Sequence, residues 1–427
     1  MFSYRYYKIF AVFLQHILYN RKRFLSEKFY IFSAGALCLL PAAEECDSGG
    51  AGEAMANGRE MISENRELRI LSAIGIILVV AGHLGYDLFD IGGLFPYYSF
   101  HVFIFLFVSG YFYREEAEER IACYLLGKCR TLLLPYFLWN IFYGLVTEAL
   151  HRAGFSIGEP MSLKTLFLSP FLDGHQFLYN FPAWFVPVLF MIEVINVLMR
   201  RVLSLLRLKY EWLIFGGCLL AGMLTVYLAA GGHVWGWYKL PGRLLFMLPG
   251  FQMGRIYRTR LESHDTLEDG PYFLIVMGIQ LLITIFCAGL NFSAVWVSSF
   301  ANGPLIPYLT VMTGIAFWLR IARIMTGIPW LSGKMVYIGR KTYAIMMHHV
   351  ASFMLVKGVF YLCHLYTRFC SEFDREMFFG EIGFVYLVGG SEASKWLYLF
   401  VGIGLPLAAA RLRERAQGAW QMRFGKD

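Results

Sequence analysis

The stretch Ile74–Asp87, IGIILVVAGHLGYD, is apolar almost throughout until one imidazole, His83, appears directly after Gly82. Between Arg69 and Asp87 the chain carries no carboxylate, lysine or arginine. A run of about 20 mostly apolar residues is long enough to cross a bilayer as a helix. The composition decides between that reading and a buried soluble helix. The chain has 427 residues, 58% hydrophobic and only 16% charged, and its mean hydropathy is +0.53. Soluble proteins carry roughly 25% charged residues, so this chain is too poor in charge to cover a globular surface in water. Its 39 Phe, 26 Tyr and 10 Trp suit interfacial aromatic belts.

On either side of Ile74–Asp87 the chain carries further apolar runs, ten candidate spans in all: 69–87, 97–113, 131–150, 183–199, 211–230, 242–257, 271–290, 304–321, 341–362 and 394–411. A shorter apolar stretch, 376–390, reads as re-entrant or as part of a loop. The charges test this count, because Lys and Arg gather on the cytoplasmic side. Basic loops (Arg114 to Arg130, Arg200 to Lys209, Arg255 to Arg260, Arg320 to Lys341) alternate with loops nearly free of Lys and Arg, such as 88–96 and 291–303. The chain therefore reads as an all-α polytopic membrane protein with about ten transmembrane helices and both ends of the core in the cytoplasm. Its net charge of +8 is spread over the ends of apolar segments, with no single basic patch, which argues against nucleic acid. The eight cysteines show no C-x-x-C pair, so neither a zinc site nor a disulfide framework is expected.

Three regions follow: an N-terminal extension, 1–65; a membrane core, 66–411; and a basic cytoplasmic tail, 412–427. The extension contains KIFAVFLQHILY and FYIFSAGALCLLPAA, the second preceded by basic residues as in a signal peptide but far from Met1. A polar Gly- and Ala-rich segment after it reads as disordered. A true start at Met55 or Met61 and an amphipathic surface helix are the two readings of this extension.

An ionisable residue inside a span is a functional candidate, because burying it is expensive unless it is paired. From Arg69 to His83 is fourteen residues, roughly 21 Å of helix, which puts His83 in the outer part of the bilayer. His101 lies about four residues into the returning span, roughly 6 Å deep. The two rings therefore converge in the outer half. Arg114 lies roughly 20 Å below His101. Arg69, Arg114 and Arg130 are inner-face cations whose planar forks suit phosphates, although orientation signalling alone also accounts for them. Ser109-Gly110 has the form of a small-residue packing site, and Trp184 that of a belt aromatic. Of His348 and His349 only one can face inward, and both read most simply as packing.

Several segments, in order, resemble the membrane acyltransferase-3 family, and among its branches the fucose 4-O-acetylase-like proteins: IGIILVVAGH, YYSFHVFIFLFVSGYFYR, RTLLLPYFLWNIFY, PAWFVPVLFMIEVI, LLFMLPGFQMGRIYR and YIGRKTYAIMMHH. The resemblance covers about residues 66–411. It implies an O-acyltransferase of the bacterial plasma membrane, moving acetyl from acetyl-CoA to a hydroxyl of a cell-surface or exported saccharide, without a metal. It implies His83 as general base and His101 as its orienter or as donor to the thioester oxygen. Arg69, Arg114 and Arg130 would hold coenzyme A, with Ser109 and Trp184 on the substrate side. The family pattern places a basic residue where this chain has Ser72, and Arg69, one turn earlier on the same face, is the candidate replacement. Two other readings are a transporter or flippase of lipid-linked sugars and an inactive scaffold relative, the latter encouraged by Ser72.

Overall fold

The computed structural model describes residues 65–287, 289–290 and 292–424. The readings of the N-terminal extension as a signal-like stretch, a mis-called start or a surface helix concern residues outside these. The main helices are α1 (Arg66–Gly82), α2 (His101–Tyr111), α3 (Leu134–Arg152), α4 (Phe185–Leu205), α5 (Glu211–Ala230), α6 (Lys239–Ile256), α7 (Asp269–Cys287), α8 (Ile306–Thr326), α9 (Pro329–Arg340), α10 (Thr342–Tyr366) and α11 (Ser394–Phe424). There is no β-strand among the described residues. Among the described residues, seven helices are long and apolar enough to cross a membrane: Ile121–Arg152, Phe181–Leu205, Glu211–Ala230, Asp269–Cys287, Ile306–Thr326, Thr342–Tyr366 and Ser394–Ala419. The protein is an all-α polytopic membrane protein.

Each of the ten expected segments falls on a helix, and the three that miss the span criterion share a cause. α1 has 17 residues and α2 only 11, while α6 carries Arg243, Gln252 and Arg255 as well as an internal Pro249. These three helices are buried among the others. Nearly every residue of α1 from Leu68 to Ala81 is buried, and α1 packs against α2, α8, α9, α10 and α11. A helix surrounded by protein can be short or polar, because its partners and not lipid solvate it.

Two glycine contacts fix α2 against α6. A Cβ on Gly110 would lie 1.8 Å from the Phe251 carbonyl oxygen, and one on Gly254 would lie 1.8 Å from that of Phe107. The two backbones touch reciprocally, and only glycine permits that approach. Gly339 on α9 packs in the same way on the Arg69 carbonyl, at 2.0 Å.

Several boundaries differ from the sequence reading. α1 stops at Gly82 and does not run to residue 87; Gly85 adopts φ +105°, and its carbonyl accepts a 2.7 Å hydrogen bond from the Tyr97 hydroxyl. α2 begins at His101, after a tight turn at Tyr97–Ser99 that follows Pro96. The connection between them is longer than expected, and both histidines lie at helix ends. Arg130 falls within the continuous helical run Ile121–Arg152, in a π-type turn over Cys129–Leu133, and is exposed. The 376–390 stretch is a loop with two short helical turns, Arg375–Gly380 and Val388–Gly390. The buried Lys357 ammonium anchors it by donating to the Ile382 carbonyl at 2.9 Å.

Several buried charges are paired with one another. Arg200 donates to both Glu211 oxygens at 3.0 and 2.7 Å and to Gln252 at 2.8 Å. Arg255 reaches Glu211 at 3.3 Å. This cluster joins α4, α5 and α6. Arg320 and Arg323 share Asp265, at 2.6 and 3.0 Å, and Arg323 also reaches Glu67 of α1 at 3.2 Å. Breaking a buried pair leaves an uncompensated charge, so these clusters pin the helix ends in place.

Candidate active site

His83 caps the C-terminal end of α1, where its backbone is outside the helix proper and its ring is free to face inward. A cavity of about 400 Å³ opens beside it, with Ile76, Val79, Gly82, His83 and Tyr86 along one wall. Ile76, Val79 and His83 recur at helical spacing, so they form one face of α1. The opposite wall is His101, Val102 and Phe105 of α2, with Trp184, Phe185 and the loop segment Ser293–Val295 closing it. The lining is mostly apolar with a few convergent polar groups, as small-molecule sites generally are.

The structure brings His83 and His101 to one cavity, as their matched depths predict. The His101 Nδ1 lies 2.5 Å from the Tyr97 carbonyl oxygen. A carbonyl only accepts, so Nδ1 carries the proton and the neutral ring keeps a bare Nε2. His83 has no hydrogen bond through either ring nitrogen among the described residues. It packs edge-on to Phe181, with centroids 4.7 Å apart.

Trp184 also lines the cavity, and it is not a belt residue. It is only 4% exposed, with the Arg243 guanidinium 4.6 Å over its ring. Arg243 is itself buried and donates to the Val295 carbonyl at 3.1 and 2.9 Å and to the Asp173 carbonyl at 3.3 Å. One side chain thus ties α6 to two wall segments. Ser109 is not on the cavity: it lies eight residues along α2 from His101, and the close packing belongs to its neighbour Gly110.

The three arginines are away from the cavity. It reaches no deeper along α1 than Ile76, seven residues or roughly 10 Å short of Arg69. Arg69 is half-buried, with an Nε that is buried and has no partner, and it lies near Arg340. Arg114, beyond the far end of α2, makes no side-chain hydrogen bond among the described residues. Exposed Arg130 stands apart. The Ser72 hydroxyl is turned onto its own helix, donating to the Leu68 carbonyl at 2.8 Å.

Three further groups stand beside the cavity; the sequence marks His349 among them, as packing, but neither the His175, Asp173 and Lys239 group nor Tyr86. His349 of α10 lies 5.2 Å from His83, centroid to centroid, while its neighbour His348 points the other way, toward Trp139 at 4.3 Å and the Tyr143 hydroxyl at 2.8 Å. The spacing showed that only one of the two could face inward but not which. His175, from the loop before α4, stacks on Trp296 at 4.6 Å and donates through Nδ1 to the Asp173 carbonyl at 2.8 Å. Lys239 pairs with the Asp173 carboxylate. The His175 ring beside Asp173, and then Lys239, hold that carboxyl well below the usual carboxylate range. No motif marked this loop. Tyr86, on the cavity wall, has a hydroxyl with no partner among the described residues. Among the described residues no three His, Cys, Asp or Glu side chains converge as metal ligands would.

A membrane-embedded helical protein with two histidines on a partly open, mostly apolar cavity has the architecture of an integral-membrane group-transfer enzyme. The family comparison makes the class definite: the acyltransferase-3 model, described as an acyltransferase domain, matches residues 65–366, and the chain belongs to that family. Neither curated proteins nor solved structures give a match.

Proposed function

We propose that this protein is an O-acyltransferase of the bacterial plasma membrane that moves an acetyl group from acetyl-CoA to a hydroxyl of a cell-surface or exported polysaccharide. In this reading it lies nearest the fucose 4-O-acetylase-like branch, and both ends of its core face the cytoplasm. The observation that carries the proposal is the meeting of His83 and His101 on one cavity. A sugar hydroxyl is a weak nucleophile at neutral pH, and a neutral imidazole can take its proton as it attacks the thioester carbonyl. His83, with both nitrogens uncommitted, is the base. The oxygen–carbonyl bond forms, the carbon–sulfur bond breaks, and the thiolate recovers the proton from His83. His101, whose Nδ1–H is committed to Tyr97, suits the role of acceptor toward a substrate hydroxyl better than that of donor to the thioester oxygen. The free Tyr86 hydroxyl is the available neutral donor for the developing oxyanion. Arg69, with its orphaned Nε, is the best supported of the three arginines for the coenzyme A phosphates. Trp184 shapes the acceptor side of the cavity.

The test is mass spectrometry of surface glycans from cells carrying the wild-type chain or His83→Ala, at matched membrane levels. The proposal expects O-acetylation in the first and its loss in the second. Acetylation unchanged by His83→Ala would instead favour a transporter of lipid-linked sugars or an inactive scaffold, the reading that Ser72 supports. An increase with Ser72→Arg would show that the native chain is impaired at that position.

A further inference from the structure

We propose that His349 is the positioning partner of His83, fixing which ring nitrogen carries the proton; this rests on the acyl-transfer reading above. His349 is wholly buried in α10, and its Nδ1 lies 2.8 Å from the Ile345 carbonyl, so Nδ1 holds the proton. Its Nε2 is then a bare acceptor, buried and without a partner. Buried acceptors are almost always satisfied, and one that is not calls for an explanation. The polar ring facing it is that of His83, at 5.2 Å between centroids and with planes 26° apart. Two imidazoles joined by an N–H···N bond, itself about 3 Å long, have centroids about 5 Å apart. The centroid spacing matches that of a bonded pair, while the two rings lie stacked and nearly parallel, so the bond forms when the His83 ring turns until one of its nitrogens meets His349 Nε2. No hydrogen bond holds that ring among the described residues: its contacts are the edge-on packing against Phe181 and the stacking on His349, and it projects from a helix end.

When His83 turns, one ring N–H donates to His349 Nε2 and the other nitrogen faces the cavity bare. A neutral imidazole with its tautomers unfixed spends part of its time with the proton on the cavity side, where it cannot act as a base. The pairing removes that population. It also stabilises the imidazolium formed when the substrate hydroxyl proton arrives, since the donated hydrogen bond then carries a charge. His349 touches no reacting atom; it acts through His83.

Two substitutions separate this role from packing. His349→Asn keeps an N–H near Nδ1 for the Ile345 carbonyl and deletes the acceptor. His349→Gln places an amide oxygen near the Nε2 position. Acetyl-CoA turnover by the purified full chain is expected to fall about a hundredfold in kcat for His349→Asn with KM unchanged, and to stay within about tenfold of wild type for His349→Gln. Equal activities, or the reverse order, overturn the proposal. A second readout is independent of turnover: ¹⁵N imidazole spectra of the chain in detergent with acetyl-CoA, with the His83 signals assigned by their loss in His83→Gln. One tautomer at His83 in the wild type and a mixture in His349→Asn support the pairing. A mixture in both overturns it, even if the wild-type chain proves inactive and the acyl-transfer reading fails.

Discussion

At the residue scale, the position of each titratable group within its helix decides what it can do. His83 and His101 are useful because both stand at helix ends, where a ring can turn into a cavity without backbone strain. Arg69 is the opposite case, a cation embedded within α1 with an unsatisfied Nε and a second arginine nearby. Two neighbouring guanidiniums favour a bound anion between them. Arg69→Gln is therefore expected to raise the KM for acetyl-CoA about tenfold or more while leaving kcat nearly unchanged, one lost charge-assisted hydrogen bond accounting for about 1.5–3 kcal/mol. Steady-state kinetics on the purified chain checks this, and an unchanged KM removes Arg69 from the donor site. Ser72 cannot take its place, because its hydroxyl is committed to the Leu68 carbonyl.

At the element scale, the active-site wall depends on how closely α2 approaches α6. The reciprocal contacts of Gly110 and Gly254 set that distance, and α2 carries His101 while α6 carries the Arg243 that holds Trp184 and Val295. Gly254→Val must push the helices apart, at a cost of about 1–3 kcal/mol or more, and with them the two cavity walls. Lower thermal stability in detergent together with lost activity is expected. Gly278→Val on α7, where an added Cβ meets nothing within 4 Å, is expected to change neither. Matching behaviour of the two variants would contradict this account of the packing. The helices themselves were largely legible in the sequence, because apolar length and the alternation of basic loops both report on lipid. Their ends were less so. The early stop of α1 depends on Gly85 and on a hydrogen bond from Tyr97, a tertiary contact that no local pattern announces.

At the scale of the whole molecule, the helices that are poorest as isolated spans all serve the site: α1 and α2 line it, and α6 braces it through Arg243. Hydropathy alone would undervalue them; it was the histidine positions and the family pattern that pointed to α1 and α2. The matched depth of His83 and His101 was readable from helix rise, but the contributions of His175, Asp173 and Tyr86 were not, because they come from loops whose paths depend on tertiary contacts. The cluster of Asp173, His175, Lys239 and Arg243 supports the cavity from the loop side. With its carboxyl pKa held below 3.8, Asp173 contributes stability that is fully present above that pH and is lost as the pH falls through the folded-state value. Asp173→Asn is expected to lower the melting temperature at pH 7 and to flatten its dependence on pH below about 5. Identical melting curves for the wild type and Asp173→Asn at pH 7 and at about pH 4 would show that the cluster contributes no stability of this kind.

The central claim is that the cavity beside His83 is where the acyl group changes hands. The most direct measurement is release of free coenzyme A thiol from acetyl-CoA by the purified chain in lipid nanodiscs, with and without a saccharide acceptor. The account predicts acceptor-dependent release by the wild type and a loss of about 10²–10⁴-fold in kcat for His83→Gln, the range expected for removing a general base. Release at the wild-type rate by His83→Gln would contradict it.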